Sequence, residues 1–192
     1  VVGLERGRER STEDYFMVHD ELRYAIRYEL MQDLSKETIT FRNKASQRAL
    51  PMRQLGSFLV GEGLGGAGVH WNGMTFRFLP YDFEIYSKTV DKYGKDKIKN
   101  GYLIQDWGIT YDELEPYYDK FEKTCGISGE PGPFSGKRSD DYPTPPMKDT
   151  PYLDKFKRAV KELGYKPYHI PSANLSKPYK NPDGMQINAC QY

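Results

Sequence analysis

One stretch constrains this chain more than any other. It runs Gly61-Glu-Gly-Leu-Gly-Gly-Ala-Gly-Val-His-Trp-Asn-Gly73, and six of its thirteen residues are glycine. A run this rich in glycine resists both helix and strand, because glycine adds chain entropy and no side-chain packing. Glycine is useful where the backbone must take a positive φ or lie directly against a ligand. Here the glycines lead into His70, Trp71 and Asn72: a nucleophilic ring, a large flat ring and an amide. Those residue types predict a backbone cradle for a flat polar cofactor, with a side chain able to touch it or bond to it.

Composition removes several alternatives. Lys and Arg total 28 against 27 Asp and Glu, so the net charge of +1 gives no electrostatic case for nucleic acid or an anionic membrane surface. Tyrosine alone supplies 16 residues, and tyrosine suits clefts and interfaces because its ring packs while its hydroxyl stays wet. Two cysteines, Cys125 and Cys190, make no disulfide framework. No apolar run approaches the roughly 20 residues of a membrane span, and no signal peptide is visible at the start. The chain opens inside the apolar run Val1–Leu4 without an initiator methionine, and stops at Asn188–Tyr192 without a closing helix or polar tail. It reads as a piece of a longer domain.

Read in order, Val1–Leu4 is expected to be a short buried strand ending at Glu5, with Arg6-Gly7 turning the chain. Dinucleotide-binding α/β folds place an acidic residue at such a strand end, about 20 residues beyond a Gly-x-Gly-x-x-Gly turn; no such turn precedes Glu5 here. Leu22, Ala25, Ile26 and Leu30 fall at helical spacing within residues 11–34, and His19 lies near the start of that segment as a surface residue. Residues 37–42 alternate around Ile39 and Phe41 as a half-buried strand does. The aromatic alternation of Phe76–Phe83 implies an extended segment against a core. The lysines of residues 87–100 interleave with Asp91 and Asp96, which indicates a solvated loop or frayed helix. Thr110 and Glu113 form a Thr-x-x-Glu capping box, Pro116 suits the first helical position, and Tyr117, Phe121 and Cys125 repeat at one turn before Gly126 stops the helix. Cys125 reads as a small buried hydrophobe. Residues 130–146 carry five prolines and two glycines and read as a lid-like loop or subunit contact. Pro151 then opens a helix striped by Leu153, Phe156, Val160 and Leu163. His169 lies among apolar residues and reads as packing rather than reacting. Asn181–Gly184 is a turn.

Three motifs resemble the GMC (glucose–methanol–choline) flavoprotein oxidoreductases: Val1–Gly7, then Gly65–Asn72 followed by Arg77–Phe83, then Asp106–Tyr118. Their order matches that family across nearly the whole chain. Phe76–Pro80 and Asp141–Pro146 look most like the FAD-containing subunit of gluconate 2-dehydrogenase-type enzymes. The resemblance implies an α/β fold over residues 1–192: a partial Rossmann-type FAD-binding domain lacking its first βα unit, plus part of the substrate-domain or lid region. The flavin-attachment loop would span about 56–80 and the lid-like loop about 130–150.

The same resemblance implies FAD as cofactor. Glu5, with Arg6 beside it, would hold the adenosine ribose. Gly65, Gly66, Gly68, Val69, His70, Trp71, Asn72 and Gly73 would hold the pyrophosphate and flavin. His70 matches a family histidine that bonds to the flavin 8α-methyl carbon; an imidazole that only packs on the ring is the alternative. The implied reaction is hydride transfer from an alcohol carbon of a sugar, sugar acid or polyol, and the family's catalytic histidine is expected downstream of this chain, so no residue here is assigned as catalytic. Cys190 falls where related enzymes begin an iron–sulfur cysteine run, and is otherwise an ordinary cysteine. A small subunit and a cytochrome c subunit are implied partners, and a periplasmic or inner-membrane-associated location is implied as well. The alternative function is a non-catalytic flavin- or nucleotide-binding assembly module.

Overall fold

The computed structural model describes residues 2–5, 7–9, 11, 40–51, 61 and 63–190. The chain divides into two compact units, Val1–Asn72 and Gly73–Tyr192. The helix expected within 11–34, the apolar run Ser57–Val60, His19 and Arg6 lie outside the described residues, apart from Ser11.

In the first unit, strand β1 (Thr40–Phe41) pairs antiparallel with β2 (Leu50–Pro51), Thr40 opposite Pro51 and Phe41 opposite Leu50. The residues between close on a turn in which Gln47 N–H donates to the Lys44 carbonyl at 3.0 Å. The strand expected around Phe41 is present at Thr40–Phe41 but has no buried face: Phe41 and Leu50 are both exposed, because a two-stranded ribbon covers neither of its own faces. The buried strand expected at Val1–Leu4 is also corrected. Residues 2–5 lie outside any strand, and Val2 and Leu4 are almost fully exposed. A buried parallel strand needs neighbours at its edges and layers on its faces, and residues 2–5 have no strand paired alongside among the described residues.

The second unit holds the rest of the regular structure. Met74 bridges Ser172, and Thr75 N–H donates to the Pro171 carbonyl at 3.1 Å, so the chain runs extended into residue 79. Extension stops at Pro80 rather than continuing to Phe83. Pro80 opens α1 (Pro80–Phe83), where its fixed φ and missing N–H suit a first helical position, and the Asp82 carboxylate accepts the Leu79 N–H at 2.7 Å. Helix α2 (Ile85–Tyr93) follows at once. Its first turn borrows a cap from a distance: Asp106 Oδ1 accepts the N–H groups of Tyr86 and Ser87 at 2.9 and 3.1 Å. The hydroxyl of Ser87, then these two N–H groups, hold the Asp106 carboxyl below its ordinary range.

Helix α3 (Tyr111–Cys125) starts at Thr110, whose hydroxyl accepts the Glu113 N–H while Glu113 accepts the Thr110 N–H at 2.7 Å. The predicted capping box is therefore built. Pro116 does not open the helix; it sits inside, five residues past Tyr111. Gly126 ends the helix at φ 74°, as expected of a left-handed cap. Helix α4 (Pro151–Glu162) is capped by Thr150, and β3 (Tyr179–Lys180) pairs with β4 (Gln186–Ile187) around the Asn181–Gly184 turn. Residues 130–146 form no helix or strand, as expected, apart from a single bridge between Thr144 and Ser128.

The core is small. Phe83, Tyr111, Ile127 and Leu175 are its buried hydrophobic residues among those described. Trp107 packs its ring 5.0 Å from Phe83 and 4.9 Å from Phe78, in tilted and edge-on geometries favoured by ring quadrupoles. Below it, Ser128 and Thr144 share a buried hydroxyl–hydroxyl hydrogen bond at 2.6 Å, and Ser128 Oγ also accepts the Ser176 N–H. No helix of the described residues is long and apolar enough to cross a membrane.

Candidate functional site

The glycine stretch forms a tight loop within the first unit. Gly63, Gly65 and Gly66 take φ of 122°, 93° and 56°, conformations that side-chain-bearing residues rarely adopt. The loop then winds into a short 3-10 helix, Gly66–His70, closed where Trp71 N–H donates to the Gly68 carbonyl at 3.2 Å.

The glycines do two different jobs. Gly7 and Gly61 permit close backbone approach. A Cβ on Gly7 would stand 2.3 Å from the Gly63 Cα, and one on Gly61 would stand 2.6 Å from the Gly66 carbonyl oxygen. Gly66 and Gly68 instead face open space, with nothing within 4 Å of where a Cβ would be. The loop therefore presents bare backbone outward, and Trp71 beside it is half exposed. This is a surface that a flat polar group can approach closely, so the residues fit a dinucleotide cofactor.

Glu5 is brought to this loop. Its carboxylate accepts the Gly7 N–H at 2.7 Å and, at a long 3.4 Å, the Gly65 N–H. Leu64 N–H donates to the Arg8 carbonyl at 3.0 Å. The acid expected to reach a ribose thus also anchors the turn to the glycine loop. Gly73 is buried at φ 79°, and its carbonyl accepts the Ala173 N–H at 2.7 Å within the second unit. The side chains of Val69 and His70 lie outside what is described, as does all of Arg6.

Two constellations in the second unit escape a sequence reading. The first is a buried charge quartet. Arg77 donates through Nε and Nη2 to Glu122 at 2.8 Å each, and through Nη1 to Glu115 at 2.9 Å and the Tyr111 hydroxyl at 3.2 Å. Arg138, from the lid-like loop, donates to Glu122 and stacks 3.8 Å over the Tyr142 ring. Ser139 donates its N–H and hydroxyl to Glu115. Burial alone would raise the Glu115 carboxyl, but the Ser139 and Arg77 hydrogen bonds outweigh it and bring it to about 2. The quartet pins segment 76–79, α3 and loop 130–146 to one another.

It also overturns the apolar stripe expected on α3. Tyr117 and Phe121 are exposed, whereas Tyr111, Glu115 and Glu122 are buried. Cys125 is half-buried, and burial pushes its thiol up, away from thiolate chemistry. A signal existed: Glu115 and Glu122 lie seven residues apart, on one helical face.

The second constellation surrounds His169. Its ring contacts carboxylates on both sides, Glu130 at 3.0 Å and Asp149 at 2.7 Å, rather than packing among apolar neighbours. Among the described residues no group of three or more His, Cys, Asp or Glu is placed to hold a metal ion. Cys190 is exposed, its N–H donating to the Leu175 carbonyl at 3.0 Å. Between segment 76–79 and the lid-like loop lies a cavity of about 70 Å³ that touches Arg77, Arg138 and Tyr168. It is far below the roughly 300–1,000 Å³ of ordinary ligand pockets.

No family model matches the chain. The chain is 44% identical over its whole length to a gluconate 2-dehydrogenase flavoprotein of Pantoea cypripedii, of which it covers 34%. It is 34% identical to the fructose dehydrogenase large subunit of Gluconobacter japonicus, over 62% of this chain and 20% of that protein. It is 31% identical to a 2-methyl-1,2-propanediol dehydrogenase of Mycolicibacterium austroafricanum, over 60% of this chain and 19% of that one. The chain spans about a third of the length of the first relative and about a fifth of the others. The likeness to a gluconate 2-dehydrogenase flavoprotein that the sequence motifs carry is borne out along the full chain.

Proposed function

We propose that this chain, related over its whole length to a gluconate 2-dehydrogenase flavoprotein, is the cofactor-holding part of an FAD-dependent GMC oxidoreductase. Its substrate class is an alcohol group of a sugar, sugar acid or polyol. One observation of the structure supports the reading most directly. The Glu5 carboxylate meets a loop whose Gly66 and Gly68 leave bare backbone facing open space. FAD, when bound there, supplies a hydride acceptor for the alcohol carbon.

The residues of this chain bind and orient. Glu5 holds the turn against the glycine loop and offers carboxylate oxygens to ribose hydroxyls, with Arg6 beside it. Gly65, Gly66 and Gly68 let the backbone approach the pyrophosphate and ring, and Trp71 and Asn72 complete the wall. His70 is assigned as the residue that joins the flavin, because an imidazole nitrogen is a good nucleophile toward an activated methyl carbon. The proton acceptor for the alcohol hydroxyl is not assigned to His169, whose two ring nitrogens are committed to Glu130 and Asp149. A partial Rossmann-type domain, a small subunit and a cytochrome c subunit as partners, a periplasmic or inner-membrane-associated setting, and a cluster-ligand role for Cys190 belong to the same proposal.

The test uses the product of the complete reading frame that carries this sequence. Acid precipitation should leave a yellow pellet, and His70→Ala should move the colour to the supernatant. Colour in the wild-type supernatant would refute the covalent bond and keep the flavin. A protein without flavin in either fraction would overturn the whole reading. Dye reduction with gluconate-like acids and polyols then separates an enzyme from a non-catalytic flavin module.

A further inference from the structure

Away from the glycine loop, one ring is held in a way that the oxidoreductase reading does not use. His169 lies on the segment that returns from α4 toward Ser172. Its Nδ1 is 3.0 Å from Glu130 Oε1 and its Nε2 is 2.7 Å from Asp149 Oδ1. Its backbone N–H donates to the same Glu130 oxygen at 2.8 Å. The other oxygen of Asp149 accepts from Lys157 Nζ at 2.6 Å. Glu130 opens the lid-like loop, and Asp149 immediately precedes Thr150, the cap of α4. One imidazole therefore joins three stretches that are distant in sequence.

The proton count decides what this junction can do. An ionised carboxylate only accepts hydrogen bonds. At Asp149 the Lys157 hydrogen bond, and then that of His169, hold the carboxyl below its ordinary range against the opposing effect of burial. At Glu130 burial acts to raise the carboxyl, and the two hydrogen bonds from His169 more than offset it. Both groups are thus anions across the range in which imidazoles titrate. A neutral imidazole carries a single N–H, so it satisfies one carboxylate and turns a lone pair toward the other. A doubly protonated ring donates to both.

We infer that His169 is a proton-operated clamp: with two ring protons it ties the lid-like loop and the start of α4 to segment 165–172, and with one it releases a tie. The contact that opens is the one to α4. Glu130 retains the His169 backbone N–H, whereas Asp149 retains only Lys157, which belongs to α4 itself. Helix α4 has no buried residue, and Leu153 and Phe156 on its apolar stripe are exposed, so little else holds it. The charged groups that face the ring are Glu130 on the loop and Asp149 and Lys157 at the α4 end, with Asp154 acting on Lys157. The sign follows. The clamp closes when the ring gains its second proton and opens when it loses it. It opens again at strong acidity, when the depressed carboxylates gain protons.

The test follows amide hydrogen exchange of residues 153–162 against pH in the product of the complete reading frame. The ring nitrogens of His169 are followed by NMR in the same samples. After correction for intrinsic base catalysis, α4 protection should fall by about tenfold, the scale of one lost charge-assisted hydrogen bond. The fall should span the pH interval in which the ring loses its second proton. His169→Gln can donate only from its amide nitrogen, its other end being a carbonyl oxygen, and it gains no proton over this pH range, so α4 should exchange at the faster level throughout. A step that persists in that variant overturns the clamp. So does wild-type protection that stays constant while the ring titrates, a comparison that needs no variant to fold.

Discussion

Arg77→Met removes the centre of the buried quartet, and the structure sets what that should cost. The guanidinium makes four hydrogen bonds, two to Glu122 and one each to Glu115 and the Tyr111 hydroxyl. The side chains of Glu115 and Glu122 are 8% and 3% exposed, so water cannot replace it freely. Two cations against two anions become one against two, leaving a buried net charge of −1. Removing one partner of a buried pair costs about 3–5 kcal/mol. Here Arg138 still reaches Glu122 and Ser139 still donates twice to Glu115, which places the loss near the lower end, about 3 kcal/mol. At about 2–4 °C per kcal/mol for a chain of this size, the melting temperature should fall by about 6–12 °C. Circular dichroism melts at neutral pH measure it. Arg77→Lys should recover only part, because an ammonium keeps the charge and loses the two-pronged fork. Combining Arg77→Met with Glu122→Gln should cost at least about 1 kcal/mol less than the sum of the two. A fall of under about 2 °C, or strict additivity with Glu122→Gln, would refute the quartet as the element that joins α3 to its neighbours.

Two further outcomes follow from the same geometry. The Glu115 carboxyl, brought from 4.5 to about 2, contributes stability that is complete above its ordinary value and is lost as pH falls from there toward 2. The full shift corresponds to on the order of 3 kcal/mol. Urea midpoints on either side of that interval should differ accordingly, and Glu115→Gln should flatten the difference. On the flavin reading, Gly7→Ala and Gly68→Ala should fail in different ways. The first drives a Cβ to 2.3 Å from the Gly63 Cα, so it should lower both melting temperature and bound flavin. The second projects into open space, so it should leave stability within about 0.5 kcal/mol and reduce only flavin occupancy. Equal effects of the two on flavin and stability would remove the distinction between packing and ligand-facing glycines.

Local rules made much of the second unit legible. Thr110 with Glu113, Thr150 before Pro151, and Gly126 after Cys125 are helix-end chemistries in which a few adjacent residues decide the backbone, and each appears where the sequence places it. The failures share a different cause. Phe76, Phe78, Tyr117 and Phe121 read as inward-facing because they are aromatic, yet all four are about half exposed or more, while Arg77, Glu115 and Glu122 take the interior. Hydrophobic periodicity cannot see this inversion. The carboxylates are stable inside only because Arg77, 38 and 45 residues away, reaches both, and no local pattern encodes a partner at that distance. The partners of His169 escape for the same reason: its apolar sequence neighbours say nothing of Glu130 and Asp149.

The glycine loop was legible in kind because its constraint lies in the backbone. Three positive φ values within four residues exclude almost every alternative to glycine at Gly63, Gly65 and Gly66, so composition alone marked a strained turn. Composition could not say which glycines pack and which face outward, since both kinds are the same residue. That division appears only when the neighbours are in place, with Gly7 against Gly63, Gly61 against Gly66, and nothing over Gly66 or Gly68. Gly66 belongs to both groups: its carbonyl crowds Gly61 while its own Cβ position is open. The packing that fixes the loop is thus what turns its bare face outward. A substitution at Gly61 places a Cβ 2.6 Å from the Gly66 carbonyl oxygen, and the shift that relieves this clash should misplace the Gly66 surface even though no side chain there has changed.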